Sequence, residues 1–142
     1  MELPARISAI TLACRDIGRM AAFYRQFDWP EAPTSVPEHV VFQCANGVAL
    51  GLFGETIYER QFGLAAAGFR GVAVTIHCES PDEVDTLHAL VATYDDLSEI
   101  DPEPCRSGWG RGFSFRDPEG NVWDVAWKAG ATFDERGGFH YP

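Results

Sequence analysis

The sequence is poor in basic residues, and this scarcity excludes one class of partner. Eleven Lys and Arg residues are scattered among twenty-one Asp and Glu, giving a formal net charge of -10 at pH 7. Phosphate backbones are bound by clustered Lys and Arg side chains. We therefore predict that this chain has no nucleic acid partner.

Long apolar segments are also missing. No apolar run approaches the length that crosses a bilayer, and the first six residues, MELPAR, lack the apolar core of a signal peptide. We expect a cytoplasmic protein that does not associate with membranes.

Cysteine pairs of the kind that hold zinc are absent. The four cysteines, Cys14, Cys44, Cys78 and Cys105, stand far apart, with no Cys-x-x-Cys pair and no Cys/His cluster at zinc-site spacing. Free thiols in a reducing compartment are the expected state. The glycine-rich stretch at residues 108–112 leads into a predicted strand instead of opening a helix, which disfavours nucleotide binding.

A repeated strand–helix pattern is present in this globular composition. A predicted strand at residues 7–14 precedes Asp16 and an amphipathic helix at 17–27. The pattern recurs roughly 64 residues later, with a strand at 71–77 and a helix opened by the capping box Ser80-Pro81-Asp82-Glu83. The spacing predicts two related modules in one chain.

Two hairpins complete the predicted elements. Strands at residues 36–44 and 47–53 meet at an Asn-Gly turn, and strands at 113–115 and 121–127 meet at Asp117-Pro118-Glu119-Gly120. The last strand places Asp124 on one face with Val122 and Ala126, and Trp123 on the other face. Asp124 is therefore a carboxylate among apolar neighbours.

The two modules and the motif Asp117-Pro118-Glu119-Gly120-Asn121-Val122-Trp123-Asp124 resemble the vicinal oxygen chelate superfamily. That superfamily includes glyoxalase I, extradiol dioxygenases and the bleomycin- and fosfomycin-resistance proteins. The likeness covers residues 7–128 and is greatest to uncharacterised glyoxalase-like proteins, with Ser107-Gly108-Trp109-Gly110 before the hairpin.

The resemblance implies an α+β fold. Two tandem βαβββ modules would form a cupped mixed sheet with the helices on its outer face. We expect one domain over residues 1–142, with module one at about 5–55, a linker at about 56–69, module two at about 70–128 and a C-terminal tail at 129–142.

The resemblance also implies where a metal would be bound. Metal-dependent members hold a divalent ion with four side chains, one from the first and one from the last strand of each module. The matching positions here are Ala9, Gly51 (Leu50 if the register slips by one), Val72 and Asp124. Three of the four lack a donor atom, so we expect no metal and no cofactor, and metal-dependent catalysis is disfavoured.

What the resemblance leaves is a ligand cavity. We expect an apolar pocket with one acid, suited to a small, largely apolar molecule that carries an amine or a hydroxyl. Its predicted lining is Ala9, Thr11, Gly51, Phe53, Val72, Val74 and Asp124, with Trp109, Arg111 and Phe115 near the mouth.

Several functions stay open at this point. The chain could be a metal-free binding protein, a metal-independent lyase or isomerase with Asp124 as general base, a metal-dependent lyase or dioxygenase with unrecognised ligands, or a module that pairs with another chain. We expect a homodimer.

The site residues also have purely structural interpretations. Asp124 could be a strand-end acid paired with an arginine such as Arg111 or Arg116. His77 is predicted to lie on the opposite face from the cavity, where it would be solvated.

Overall fold

The structure of the protein is a computed structural model that describes residues 3–63, 71–108 and 110–142. The chain forms two compact units, Met1–Ala67 and Gly68–Pro142. Within the described residues, no helix is long and apolar enough to cross a membrane.

The first unit is a three-stranded sheet with two helices. Its elements are β1 (Ala9–Cys14), α1 (Ile17–Arg25), β2 (His39–Gln43), β3 (Ala49–Gly54) and α2 (Glu55–Phe62). The strand order is β1-β3-β2, in which β3 runs parallel to β1 and antiparallel to β2.

Helix α1 covers one face of this sheet. Asp16 caps its first turn by accepting a hydrogen bond from the Arg19 backbone N–H at 3.0 Å, as the sequence predicts. The helix ends at Arg25, two residues before the predicted end. The Tyr24 ring lies 6.5 Å from the Phe42 ring, and both side chains are buried, so this face of the sheet is the core of the unit.

The second unit repeats this plan. Its elements are β4 (Ala73–Cys78), α3 (Pro81–Val91), β5 (Glu99–Ile100), β6 (Cys105–Ser107), β7 (Gly110–Arg116), β8 (Val122–Lys128), β9 (Thr132–Phe133) and β10 (Phe139–His140). The main sheet has the order β4-β8-β7-β5, with β6 also paired to β7, and β9 and β10 form a separate hairpin.

The internal repeat is confirmed for the first strand, the helix that follows it and the final hairpin of each module. Strands β1 and β4 begin 64 residues apart, as do α1 and α3. In both units the first strand runs parallel to the last strand of the module, which forms an antiparallel hairpin with the strand before it. The predicted α+β class is therefore confirmed, with one long helix packed on each main sheet.

Helix α3 begins as its sequence predicts. The Ser80 hydroxyl accepts a hydrogen bond from the Glu83 backbone N–H at 3.1 Å, and Pro81 occupies the first turn. The Glu83 carboxylate in turn accepts from the Glu79 N–H at 2.7 Å. Both ends of this capping arrangement are satisfied.

Helix α2 is the main departure from the predicted elements. It lies where we expected the start of a linker, and Gly54 begins it without a side-chain cap. None of its residues is buried, although the Phe62 ring stacks on Phe53 at 6.1 Å. A short helix without a cap or a buried stripe has little local sequence signal.

Candidate functional site

Asp124 lies in the middle of β8, on the face of the second sheet opposite α3. It pairs in register with Thr75 of β4 and with Ser114 of β7. Its carboxylate accepts a hydrogen bond from the Thr75 side chain, and the group is about half-buried. The predicted placement of Asp124 among Val122 and Ala126 follows from the same register.

The register of β4 differs from the predicted one. Thr75 pairs with Asp124 and His77 with Ala126, so both side chains share the face of Asp124. Val74 pairs with Trp123 on the other face, and Val72 has the parity of Val74. The prediction that Val72 and Val74 line the Asp124 face was therefore wrong. The prediction that His77 lies on the face opposite the cavity was wrong as well.

A slip of one residue accounts for these errors. The repeat matches Ala9 of β1 to Ala73 of β4, since each opens its strand, whereas the predicted equivalent position was Val72. Because side chains alternate along a strand, a slip of one residue moves every side chain to the opposite face.

Two residues predicted near the mouth of the cavity lie on the helix side of the sheet. The Arg111 guanidinium binds the Asp85 carboxylate of α3 at 2.7 Å. Phe115 is 1% exposed and stacks on Trp123 with ring centroids 6.1 Å apart. Both residues pair with β8 residues of the face opposite Asp124, so their predicted position at the mouth of the Asp124 cavity was wrong. Trp109 lies outside the described residues.

Neither of the two arginines named as possible partners of Asp124 is paired with it. Arg111 is bound to Asp85, and Arg116 pairs with Glu99 at 3.3 Å and donates to the Gly120 carbonyl at 3.0 Å. Among the described residues, the groups that act on the Asp124 carboxylate are instead Thr75, His77 and Asp101.

In the first unit, the predicted lining residues share one face. Ala9, Thr11 and Ala13 of β1 pair in turn with Ala49, Gly51 and Phe53 of β3. This is the face opposite α1, and the shared placement of Ala9, Thr11, Gly51 and Phe53 is confirmed. Their role in ligand binding stays a prediction.

The electrostatics of Asp124 and His77 displace both groups toward their neutral forms. Burial raises the pKa of Asp124, while His77 and the Thr75 hydrogen bond oppose this shift and Asp101 adds to it. Burial lowers the pKa of His77, against the attraction of Asp124 and together with the repulsion of Lys128. The two pKa values therefore lie closer together than those of the free side chains.

The C-terminal hairpin covers the His77 side of this face. The Phe139 ring of β10 stacks on the His77 ring, with centroids 3.7 Å apart and planes 13° from parallel. Phe139 also contacts Phe133 at 5.6 Å and Tyr141 at 5.1 Å. The alternating aromatic residues of the tail were the one sequence signal for this packing.

The residues at the family's metal positions do not fit a divalent ion. Ala9, Gly51 and Ala73, the register-corrected equivalent of Val72, carry no donor atom, which leaves Asp124 as the one ligand type in the set. In the parts of the chain that the structure describes, no group of three or more His, Cys, Asp or Glu side chains could hold a metal ion.

Comparison with family models identifies the class of protein that this fold and site define. Residues 6–125 match the model of the Glyoxalase/Bleomycin resistance protein/Dioxygenase superfamily. The chain belongs to this superfamily, which confirms the resemblance found in the sequence. The curated proteins include no match to this chain.

Solved structures of the same superfamily share the fold at low identity. A glyoxalase-related enzyme from Fulvimarina pelagi superposes with a TM-score of 0.80 and 22% identity, covering 96% of this chain and 98% of the other. A glyoxalase/bleomycin resistance protein/dioxygenase family enzyme from Burkholderia phytofirmans gives 0.74 and 20%, with 87% and 99% covered. Lactoylglutathione lyase from Agrobacterium tumefaciens gives 0.67 and 21%, with 88% and 95% covered.

Proposed function

We propose that this protein binds a small, largely apolar molecule without the help of a metal ion, and that Asp124 holds an amine or hydroxyl group of the ligand. The observation that carries the proposal is the setting of Asp124. A half-buried carboxylate stands on the face of the sheet opposite α3 with a threonine and a histidine as its neighbours, and neither Arg111 nor Arg116 neutralises it.

A cationic or hydroxyl-bearing ligand would satisfy this carboxylate. The raised pKa of Asp124 means that its charged form is poorly stabilised by the protein alone. A ligand amine would supply the missing positive charge, and a ligand hydroxyl would supply a hydrogen-bond donor. The neighbouring Val122 and Ala126 would contact the apolar part of the ligand.

The poor donor set at the family's metal positions supports a metal-free mode of binding. An alanine or glycine at three of the four positions cannot coordinate an ion. Binding would then depend on shape, apolar contact and the single carboxylate.

The test is a screen of small aromatic and aliphatic amines and alcohols by ligand-detected NMR and thermal shift. We expect hits that bind the natural protein and are lost in Asp124→Asn, which keeps the size of the side chain and removes its charge. Glu103→Gln is the matched control, because it removes an exposed carboxylate elsewhere. Hits that bind Asp124→Asn equally well would refute the assignment of Asp124.

A metal-independent lyase or isomerase is the second candidate. The observation that favours it is the position of His77 beside Asp124, with the two pKa values displaced toward each other. Such a pair could accept and return a proton at a carbon of the ligand. Deuterium exchange into a bound hit in heavy water, lost in both Asp124→Asn and His77→Gln, would support it.

We also propose that the protein is a cytoplasmic homodimer. In the described part of the sheets, β1 and β4 are each paired along one edge, which leaves an edge available to another strand. The free thiols agree with a reducing compartment. Sedimentation at micromolar concentration would measure the oligomeric state directly.

A further inference from the structure

We propose that the C-terminal hairpin of β9 and β10, here called the strap, occupies part of the ligand site: its Phe139 ring stacks on His77 where a planar ligand would otherwise stack. The preferred ligand is then an aromatic ring that bears an amine or a hydroxyl. This inference rests on the proposed function and deepens it. The juxtaposition that carries it is an aromatic ring laid flat on His77, beside the carboxylate that would hold the polar group of the ligand.

The Phe139–His77 contact has the geometry of ring stacking. The planes are 13° from parallel and the centroids 3.7 Å apart, whereas the other ring contacts of Phe139 are tilted or edge-on. His77 therefore presents a flat surface that accepts a planar group. A planar ligand could use the same surface once Phe139 has moved.

The distance along the strand suits one small molecule. His77 pairs with Ala126, which stands two residues from Asp124 on the same face of β8. The rise of a strand places such positions about 7 Å apart. An aromatic ring with an amine on a one-carbon arm spans this distance, with the ring over His77 and the amine at Asp124.

The hairpin is held weakly enough to be exchanged. Strands β9 and β10 are two residues each, and they form a sheet of their own instead of joining the main sheet. Phe139 is partly exposed, and Tyr141 is 74% exposed. A two-stranded hairpin of this size has little stability by itself. Its attachment therefore depends on contacts such as the one with His77.

The experiment compares two amines, 1-naphthylmethylamine as the planar probe and cyclohexylmethylamine as the non-planar one. Binding is measured by NMR titration of the full chain and of three variants, Phe139→Ala, Asp124→Asn and Tyr141→Ala. We expect Phe139→Ala to bind the planar probe about three- to tenfold more tightly, since one stacked ring no longer competes with the ligand. The non-planar probe should gain less than about twofold from the same substitution.

Tyr141→Ala is the control, because it removes a second aromatic ring of the tail whose contacts are with Phe139 and Lys128. We expect it to change the affinity for the planar probe by less than about twofold. In the natural protein, the bound planar probe should also show a nuclear Overhauser effect to the His77 ring. The nuclear Overhauser effect between Phe139 and His77 should weaken as the probe is added.

The outcomes separate this inference from the proposed function. If binding of the planar probe depends on Asp124 but Phe139→Ala weakens it or leaves it unchanged, the strap is refuted and the proposed function stands. If Phe139→Ala tightens binding and Asp124→Asn has no effect, the strap stands and Asp124 is misassigned. Absence of binding in the natural protein and in Phe139→Ala would overturn the strap.

Discussion

Asp117 stabilises the turn that precedes the strand of Asp124. It is fully buried, and its Oδ1 accepts hydrogen bonds from the backbone N–H groups of Glu119 at 3.0 Å and Asn121 at 2.9 Å. Its Oδ2 accepts a hydrogen bond from the side chain of Asn121 at 2.7 Å. A buried acceptor that serves three donors leaves all three unsatisfied when it is removed.

We therefore predict that Asp117→Ala lowers the free energy of unfolding by about 2–4 kcal/mol, as measured by urea denaturation. Asp117→Asn is the matched control, since it keeps one acceptor oxygen at the same place, and it should cost about half as much. A loss below about 0.5 kcal/mol in Asp117→Ala would show that the turn forms without this carboxylate.

The four thiols differ in burial, and their reactivity should follow. Cys78 is 2% exposed, and burial together with the charges of Glu83 and Asp124 raises its pKa to about 12. Cys14 is 1% exposed, whereas Cys105 is exposed on β6. Only a thiolate is alkylated efficiently, and it must also be accessible.

We predict that iodoacetamide at pH 8 modifies Cys105 first and leaves Cys78 and Cys14 unmodified until the protein unfolds. Peptide mass spectrometry over a time course measures the order, and the same reaction in 6 M urea is the control. If Cys78 in the native protein were modified as fast as Cys105, the burial of the Cys78 side chain would be contradicted.

The raised pKa of Asp124 determines whether this group stabilises or destabilises the folded state at a given pH. Because the folded state binds this proton more tightly than the unfolded state, the contribution of Asp124 is favourable at low pH and is lost as the pH rises above 3.8 through the folded pKa. In Asp124→Asn the side chain does not ionise, so the free energy of unfolding no longer falls as the pH rises through this pKa.

We predict that Asp124→Asn is as stable as the natural protein near pH 3.5 and more stable at pH 7, by at most about 1 kcal/mol because water screens a half-buried group. Urea denaturation over this pH range measures the difference. The charge of Asp124 acts to raise the pKa of His77, so part of the measured difference reflects the altered titration of His77. A variant that loses stability at pH 7 would show that the charge of Asp124 is stabilised by its surroundings.

The ends of helices and the sharp turns could be predicted from the sequence because their interactions are local. Asp16 and Ser80 cap helices through backbone groups three residues away, and Asp117 binds groups within four residues. These short-range hydrogen bonds depend on residue type and spacing alone. The positions of the two repeated modules and of Asp124 in the last strand could be predicted from these local signals.

The face of β4 could not be predicted in the same way. Thr75 meets Asp124 across a parallel pair of strands, and the residues are far apart in the sequence. The alternation in β4 shows that Thr75 and His77 share a face, but it does not show whether that face meets the helix or carries Asp124, so an error of one residue at Val72 assigned His77 to the wrong face. The stack of Phe139 on His77 depends on the packing of the tail, which the sequence leaves open.

The C-terminal hairpin depends on one exposed carboxylate at its turn. Asp134 Oδ1 accepts hydrogen bonds from the backbone N–H groups of Arg136 at 2.9 Å and Gly138 at 2.8 Å. The bonds from Gly138 and Arg136, aided by His140, hold the pKa of Asp134 below its usual value. The charged carboxylate therefore favours the turn, and this contribution is lost as the pH falls through the folded pKa.

We predict that Asp134→Ala loosens the hairpin and moves Phe139 away from His77. The upfield ring-current shift of the His77 ring protons should fall to less than half of its value in the natural protein, as measured by NMR at pH 7. Glu135→Ala, the adjacent exposed carboxylate, is the control and should leave the shift unchanged. An unchanged shift in Asp134→Ala would show that the stack holds the hairpin without the turn.

At the scale of the whole chain, the two units share an order of strands and helices but differ in the side chains at equivalent positions. The first strands read Ala-Ile-Thr-Leu-Ala-Cys in β1 and Ala-Val-Thr-Ile-His-Cys in β4, so Ala13 corresponds to His77. Thr11 pairs with Gly51 in the first unit, whereas Thr75 pairs with Asp124 in the second. The ionisable groups of the candidate site therefore belong to the second unit, and the corresponding positions of the first are small and neutral.

This asymmetry leads to a prediction about metal ions. A ligand that binds the folded state at a hundred times its dissociation constant stabilises it by about 2.7 kcal/mol, which corresponds to several degrees in melting temperature for a chain of this size. One carboxylate and one imidazole are too few ligands for such affinity, and no group of three or more His, Cys, Asp or Glu side chains that could hold an ion is found in the described part of the chain. We therefore predict shifts below about 1 °C on adding Zn²⁺, Ni²⁺, Mn²⁺ or Fe²⁺ at 100 µM, and below about 1 °C on adding EDTA.

The same measurement on Asp124→Asn makes this prediction specific to the candidate site. A metal ion that raises the melting temperature of the natural protein by several degrees, and not that of Asp124→Asn, would place an ion at this carboxylate with ligands from elsewhere. That result would restore the metal-dependent lyase or dioxygenase as the leading function. An equal rise in both proteins would instead reflect binding at other carboxylates, which are abundant in a chain with twenty-one Asp and Glu residues, and would leave the metal-free reading of Asp124 in place.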